Sequence, residues 1–220
     1  MEKLNALCSW SGGKDSCFAL IKAISQGYRP RVLLNVLNEE GKISRSHGIP
    51  SSILQQQASR AKLPVHLISS SWNEYEHKFI GALVLLKDLY KVDTAVFGDI
   101  DLQAHRDWEE KVCGNAGLQA LLPLWLQDRK KLVLEMLDAG IETVIVSCNE
   151  TMGERFIGKT IDKPLVDELE KMGIDPCGEN GEFHTLVVNC PLFTERIHVK
   201  ITEKLKHDNY WFAALEDLSG

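Results

Sequence analysis

Six consecutive residues, Ser11-Gly12-Gly13-Lys14-Asp15-Ser16, combine the groups that grip a phosphate. Two adjacent glycines let the backbone turn sharply and approach a ligand with no Cβ in the way. A helix opening at the end of the loop aims its N–H groups and its positive dipole end at an anion. Lys14 adds a charge, and Ser11 and Ser16 add hydroxyls. The segment is not the common P-loop, which has a glycine five residues before Gly13 and a Ser or Thr after the lysine. Here those places hold Cys8 and Asp15. An acid inside a phosphate loop repels its ligand unless a divalent cation bridges the two, so Asp15 points to Mg²⁺. The same spacing also fits a plain strand-to-helix turn, with glycine for geometry and Asp or Ser for capping.

A second group is Gly98-Asp99-Ile100-Asp101, followed by His105, Arg106 and Glu109 on one expected helix. A glycine and two acids at a strand end suit a metal or nucleotide position, and Arg106 offers a planar fork to a phosphate or carboxylate. The plainer reading is a Gly-Asp turn with a helical ion pair from His105 or Arg106 to Glu109 or Glu110. The third group is Gly178-Glu179-Asn180-Gly181-Glu182-Phe183-His184-Thr185. Strand alternation places Glu182 and His184 on one face, and His184 can move a proton near neutral pH. As an Asn-Gly hairpin the segment needs no function. Weaker signals are His47-Gly48-Ile49-Pro50, which borders the nucleotide or closes a polar turn, and Trp10, which covers a base or packs the core. His66 reads as a satisfied strand histidine. Lys204-Leu205-Lys206-His207 reads as a solvated face, and Tyr210-Trp211-Phe212 as packing of the C-terminus.

The elements that must position these groups alternate between β-branched runs and amphipathic stretches. Strands are expected near Asn5 to Trp10, Arg31 to Leu37, Val65 to Ile68, Thr94 to Gly98 and Glu142 to Cys148. Helices are expected at Ser16 to Gln26, Ser51 to Ala61, Glu74 to Tyr90, Leu102 to Cys113 and Asp128 to Asp138. This is an α/β, doubly wound pattern. With strand order 3-2-1-4-5 the winding reverses between the first and fourth strands, which brings the Ser11 to Ser16 loop beside Gly98 to Asp101. After Cys148 the texture becomes α+β. A helix is expected near Lys163 to Met172, with strands at Phe183 to Val188 and Arg196 to Thr202, and the change of texture falls between Leu122 and Asn149.

With 220 residues, 44% hydrophobic and 25% charged, the composition is that of an ordinary soluble globular protein. No apolar run approaches the roughly 20 residues of a membrane helix. Met1-Glu2-Lys3-Leu4-Asn5 reads as leading into a strand rather than a signal peptide, so the expected location is cytoplasmic. Six cysteines without a C-x-x-C pair read as small core residues in a reducing compartment. A formal net charge of −6 argues against a nucleic-acid partner, although a local basic patch and a homo-oligomer both stay open.

Taken together, the three segments resemble the ATP pyrophosphatase superfamily, whose Ser-Gly-Gly-x-Asp-Ser loop is matched by Ser11, Gly12, Gly13, Lys14, Asp15 and Ser16. Within it the chain is similar to the diphthine-ammonia ligase family, through Gly98-Asp99-Ile100, Pro123-Leu124-Trp125 and the glycine/glutamate-rich segment near the C-terminus. The resemblance implies a Rossmann-like HUP domain with a five-stranded parallel sheet over residues 1–125, and a smaller α+β substrate domain over 126–220. It implies cofactors ATP and Mg²⁺, cleavage of ATP between its α- and β-phosphates, an acyl-adenylate, and displacement of AMP by ammonia. Nucleotide contacts then fall to Ser11, Gly12, Gly13, Lys14, Asp15, Ser16, His47, Gly98 and Asp99, with Asp15 and Asp99 on the metal. Lys14, Asp15, Glu182 and His184 are the implied catalytic residues. Asp101, His105, Arg106, Glu179, Asn180, Gly181 and Thr185 are the implied substrate contacts. Where the diphthamide branch has Glu-Gly-Gly-Glu, an aromatic and another Glu, this chain has Asn180 and His184. That form resembles a bacterial branch, which leaves a protein carboxylate and a small molecule both open as acceptor. A tRNA-modifying ATP pyrophosphatase and a non-catalytic adenine-nucleotide sensor are the other functions compatible with the loop.

Overall fold

The computed structural model describes residues 4–218, so Met1, Glu2 and Lys3 of the N-terminal reading lie outside the described residues. Five strands form a parallel sheet: β1 (Asn5–Ser9), β2 (Arg29–Leu37), β3 (Val65–Ser69), β4 (Thr94–Val96) and β5 (Gln119–Leu121), in the order β3-β2-β1-β4-β5. The crossovers are α1 (Lys14–Ser25), α2 (Ser51–Arg60), α3 (Tyr75–Tyr90) and α4 (Gln103–Ala116). One face of the sheet is covered by α3 and α4, through Phe79, Leu83, Leu86, Val112 and Cys113 against Leu7, Val32, Leu34 and Ala95. On the other face Phe18, Leu20, Ile53 and Leu54 of α1 and α2 pack on Cys8 and Leu33, and this core runs on into the second half of the chain. The order matches the 3-2-1-4-5 arrangement assumed for the doubly wound pattern, with its reversal between β1 and β4.

The fifth strand is not the expected one. Gln119–Leu121 pairs with β4 through Thr94↔Gln119, Ala95↔Ala120 and Val96↔Leu121. The segment Glu142–Asn149 is instead β6, an inner strand of an antiparallel sheet in which it pairs with β7 (Phe183–Asn189) and β9 (Tyr210–Asp217), with β8 (Val199–His207) at the edge. A buried strand after a helix carries the same apolar pattern whichever sheet it joins, and three residues are too few to show a period. Tyr210-Trp211-Phe212 likewise belongs to a strand, the second arm of a β8–β9 hairpin closed by Asp208 (φ 49°) and Asn209. Lys204 to His207 are exposed on its edge.

Two further helices, α5 (Arg129–Asp138) and α6 (Lys163–Lys171), are each opened by an aspartate whose side chain accepts a backbone N–H three residues on: Asp128 from Lys131 and Asp162 from Leu165, both at 2.8 Å. The buried amide of Gln57 joins the two halves. It accepts from Trp10 Nε1 (2.8 Å) and donates to the carbonyls of Gly12 (3.0 Å) and Val187 (2.8 Å). Trp10 is thereby a core residue, fully buried. The six cysteines are buried and free of disulfides, and no helix among the described residues is long and apolar enough to cross a membrane.

Candidate active site

The loop after β1 is shaped by what surrounds it. Gly12 has φ +86°, and a Cβ there would meet Gln57 Oε1 at 2.9 Å. At Gly13 a Cβ would sit 2.5 Å from His47 Cε1, and at Gly98 one would sit 2.7 Å from the backbone of Asp15 and Ser16. The last contact is the juxtaposition of the first and second motifs that the strand order implied. From the other side β7 clamps the loop: Val187 N–H donates to the Gly12 carbonyl (2.9 Å), and Thr185 Oγ1 accepts from Lys14 N–H (3.1 Å). Within the loop Ser11 Oγ accepts from Gly13 N–H (3.2 Å) and lies 3.0 Å from Ser16 Oγ.

A cavity of about 590 Å³ opens between these elements and is lined by parts of all three sequence motifs. Lys14 is buried, and its ammonium donates to Asp15 Oδ2 (2.8 Å) and to the Cys177 carbonyl (2.5 Å). Burial works against its charge, but Asp15 foremost more than offsets this and holds the group above the ordinary lysine range. Asp15 Oδ1 is buried with no hydrogen-bond partner among the described residues. His47 Nδ1 lies 3.0 Å from the Thr185 carbonyl, and its ring stands 4.6 Å from that of His184. Burial pushes both imidazoles down, His47 to about 4 and His184 to about 3, and nearby Lys14 adds to the effect. Both are neutral at physiological pH.

The wall next to Gly98 is acidic and aromatic. His105 Nδ1 is 2.6 Å from Asp99 Oδ1, and that hydrogen bond raises the imidazole. Burial works to raise Asp99, yet hydrogen bonds to His105 and Glu109 hold it below the ordinary range. Glu109 is only 3% exposed, and burial followed by contact with Asp99 pushes its carboxyl up to about 11. Glu109 is therefore protonated at neutral pH and donates to Asp99. Glu179, also on the cavity, is pushed up to about 8 by burial, with Asp15 and Asp99 adding to it and Lys14 and Arg129 opposing. Trp72, Tyr75, Phe97 and Trp108 supply ring surface on the same side.

Of the residues singled out in the sequence, Ser11, Lys14, Asp15, Ser16, His47, Gly98, Asp99, His105, Glu179, Gly181, His184 and Thr185 line the cavity, with Gly12 and Gly13 in the loop behind it. Four do not line it. Arg106 pairs with Glu110 (2.7 Å) and lies over Trp125, the plain helical pair. Asp101 takes a two-pronged bond from Arg129 (2.6 and 2.8 Å). Glu182 accepts from Asn180 N–H and Nδ2 (both 3.0 Å), so both residues close their own turn instead of facing the cavity. Metal ligation by Asp99 meets a similar obstacle, because its carboxylate is already held by His105 and Glu109.

Sequence reasoning passed over Arg129 and set Glu109 aside. Arg129 donates to Asp101, to Asp175 (2.6 Å) and to Asn180 (3.2 Å), while Asp175 accepts from Cys177 N–H (2.9 Å) and Glu179 N–H (3.0 Å). It thus fixes the turn that presents the Cys177 carbonyl to Lys14. A cation in the first turn of a helix opposes the dipole, and that oddity signals a tertiary partner. Glu109 shares its helix stripe with buried Val112, Cys113 and Ala116, an acid on an apolar face.

A family model described as the diphthamide synthase N-terminal domain matches residues 4–120, and one described as the diphthamide synthase C-terminal domain matches residues 128–218. A diphthine–ammonia ligase of Schizosaccharomyces pombe is 29% identical over 227 residues, covering 90% of this chain and 36% of that protein. Those of Rattus norvegicus and Homo sapiens are 26% and 27% identical over 231 residues, covering 92% of this chain and 85% of theirs. This chain therefore spans little more than a third of the fission-yeast relative and most of the two mammalian ones. Among solved structures, a predicted subunit of tRNA methyltransferase from Methanocaldococcus jannaschii has a TM-score of 0.44 at 18% identity, over 86% of this chain and 98% of that one.

Proposed function

This chain belongs to the diphthamide synthase family, and on that premise we propose that it is an ATP-dependent ligase that joins ammonia to a carboxylate. The name its relatives share, diphthine–ammonia ligase, supports the coarse activity. The course of the reaction is our reading of the cavity. A carboxylate oxygen of the acceptor attacks the α-phosphorus of ATP, the bond to the β-phosphate oxygen breaks, and pyrophosphate leaves. Ammonia then attacks the acyl carbon of the adenylate, AMP departs, and the nitrogen loses a proton.

The observation that carries this reading is the convergence of the phosphate loop, the strand end at Gly98 and the Gly178 to Thr185 turn on one cavity. The glycine backbone and the first turn of α1 receive the departing phosphates, and Ser11 and Ser16 add hydroxyls. Lys14, held by Asp15 and Cys177, offsets the charge that grows on the leaving group. Asp15 fits Mg²⁺: one carboxylate oxygen is tied to Lys14 and the other is buried without a partner, and this ion commonly takes one or two carboxylates with the phosphates completing its shell. When bound it would neutralise charge between Asp15 and the phosphates. Neutral His184 and His47 offer ring nitrogens for hydrogen bonds to the reacting groups without adding charge beside Lys14. In this reading residues 1–125 act as the nucleotide-binding domain and 126–220 as the substrate domain, with a diphthine-like protein carboxylate or a small acid as acceptor.

Purified protein given Mg²⁺, ATP, ammonium and a panel of carboxylates is expected to release pyrophosphate and AMP. Release of ADP and phosphate instead would overturn the reaction course.

A further inference from the structure

Adjacent glycines let the phosphate loop turn, and the same freedom makes the peptide between them easy to flip. Gly12 has φ +86° and Gly13 φ −95°. Turning the Gly12–Gly13 peptide over changes ψ of the first residue and φ of the second, and glycine takes either sign of φ about equally well. A trans peptide points its C=O and its N–H in opposite directions. The Gly13 N–H now donates to Ser11 Oγ (3.2 Å), and Ser11 lines the cavity. After a flip the Gly12 carbonyl would stand there instead, and an acceptor in that place repels a phosphate.

One side chain decides between the two orientations. Gln57 reaches the loop from α2 and is fully buried. Its Oε1 accepts from Trp10 Nε1 (2.8 Å), and its Nε2 donates to the carbonyls of Gly12 (3.0 Å) and Val187 (2.8 Å). Turning the amide over would set Oε1 against two carbonyl oxygens and Nε2 against an N–H donor, so the Trp10 indole fixes which end of the amide faces the loop. The Gly12 carbonyl also accepts from Val187 N–H (2.9 Å). A flipped peptide would leave both of these buried donors without their acceptor, and that loss holds the peptide as it is.

We propose that Gln57 is a positioning residue for the phosphates of ATP: it locks the Gly12–Gly13 peptide with its carbonyl toward the core and its N–H on Ser11. The locked N–H occupies a lone pair of Ser11 Oγ and leaves the hydroxyl hydrogen for a phosphate oxygen. Gln57 itself stays in the core and touches no ligand. The assignment rests on the reading of the loop as the seat of the departing phosphates. It concerns nucleotide binding and not the later steps at the acyl carbon.

The test titrates the full chain calorimetrically with ATP and Mg²⁺ and, separately, with AMP, which lacks the phosphates that the loop receives. Gln57→Met keeps the length of the side chain and removes its donors. It is expected to weaken ATP about tenfold and AMP by under about twofold, as the loss of one or two neutral hydrogen bonds does. Gln57→Glu, whose buried carboxyl stays protonated and keeps one O–H donor, should bring the loss for ATP back to about threefold. A purely structural role weakens both nucleotides alike, so equal losses overturn the assignment, and so does ATP binding that Gln57→Met leaves unchanged. If Gln57→Met does not fold, Gln57→Glu decides by the same comparison of ATP with AMP. Failure of the ligase reading shows elsewhere: ATP bound with this pattern of losses but never split to AMP and pyrophosphate sinks the reaction course and spares Gln57. Pyrophosphate release by a wild type whose ATP affinity Gln57→Met does not change has the reverse meaning, and a wild type that binds neither nucleotide overturns both.

Discussion

Two walls of one cavity treat the same side chain in opposite ways. On the loop wall His47 and His184 lose their charge to burial, with Lys14 as a second push in the same direction. On the α4 wall the His105 side chain is 59% exposed, and its hydrogen bond to Asp99 raises it. Desolvation sets the sign on the first wall and pairing sets it on the second. The loop wall therefore presents Lys14 as its cation beside two neutral imidazoles. The α4 wall presents acids, one protonated, against aromatic rings.

The largest effect that tests this division is the loss of Lys14. Lys14→Met is expected to lower pyrophosphate release about 10²–10³-fold, as removal of a main charge-stabilising donor does, while His105→Ala costs less than about tenfold. Comparable losses from both would mean that the walls do not divide the charges as argued. Steric variants come next. Gly98→Ala places a methyl group against the backbone of Asp15 and Ser16, which no side-chain deletion can relieve, and should cost about 1–3 kcal/mol in urea unfolding. Gly13→Ala meets the His47 ring instead, so adding His47→Ala should restore at least half of its loss. Rescue of neither, or of both, would show that the loop is not held between a rigid strand end and a movable ring.

The same contrast explains what could be read in advance. The helices α1 to α6 fall within three residues of their expected ends because their caps and periods are local. The winding reversal beside Gly98 followed once the doubly wound order 3-2-1-4-5 was assumed, and the structure has that order. Strand β5 was not legible, because three residues owe their form to pairing with Thr94 to Val96. The sheet of β6 was not either, because an apolar run does not say which neighbours it will find. Within the site, the loop motif carried its own signal, whereas the wall next to Gly98 is assembled from α3, β4 and α4. Glu109 looked like a surface ion-pair partner, and only its place among Val112, Cys113 and Ala116 marked it as buried. Asp101 and Glu182 looked available, but the partners that hold them, Arg129 and the turn around Asn180, are set by tertiary contact.

The remaining test is of stability against pH, and its sign separates the two walls. Between the lowered values of His47 and His184, about 4 and about 3, and the ordinary 6.5, the unfolded chain binds more protons than the folded one. Stability therefore rises with pH in that window, is complete above about 6.5, and is lost as pH falls through the folded values, with a slope of at most about 1.4 kcal/mol per pH unit for each imidazole. His105 runs the other way. Its raised value stabilises the fold fully below the ordinary histidine range, and that contribution is lost as pH rises through the folded value, weakened by exposure to solvent. Urea midpoints followed from pH 8 to pH 4 should fall steeply on the acid side in the wild type. His47→Asn with His184→Asn should flatten that limb, and His105→Asn should touch only a shallow limb above the ordinary histidine value. An acid limb unchanged in the double variant would remove desolvation as the force that sets the charge of the loop wall.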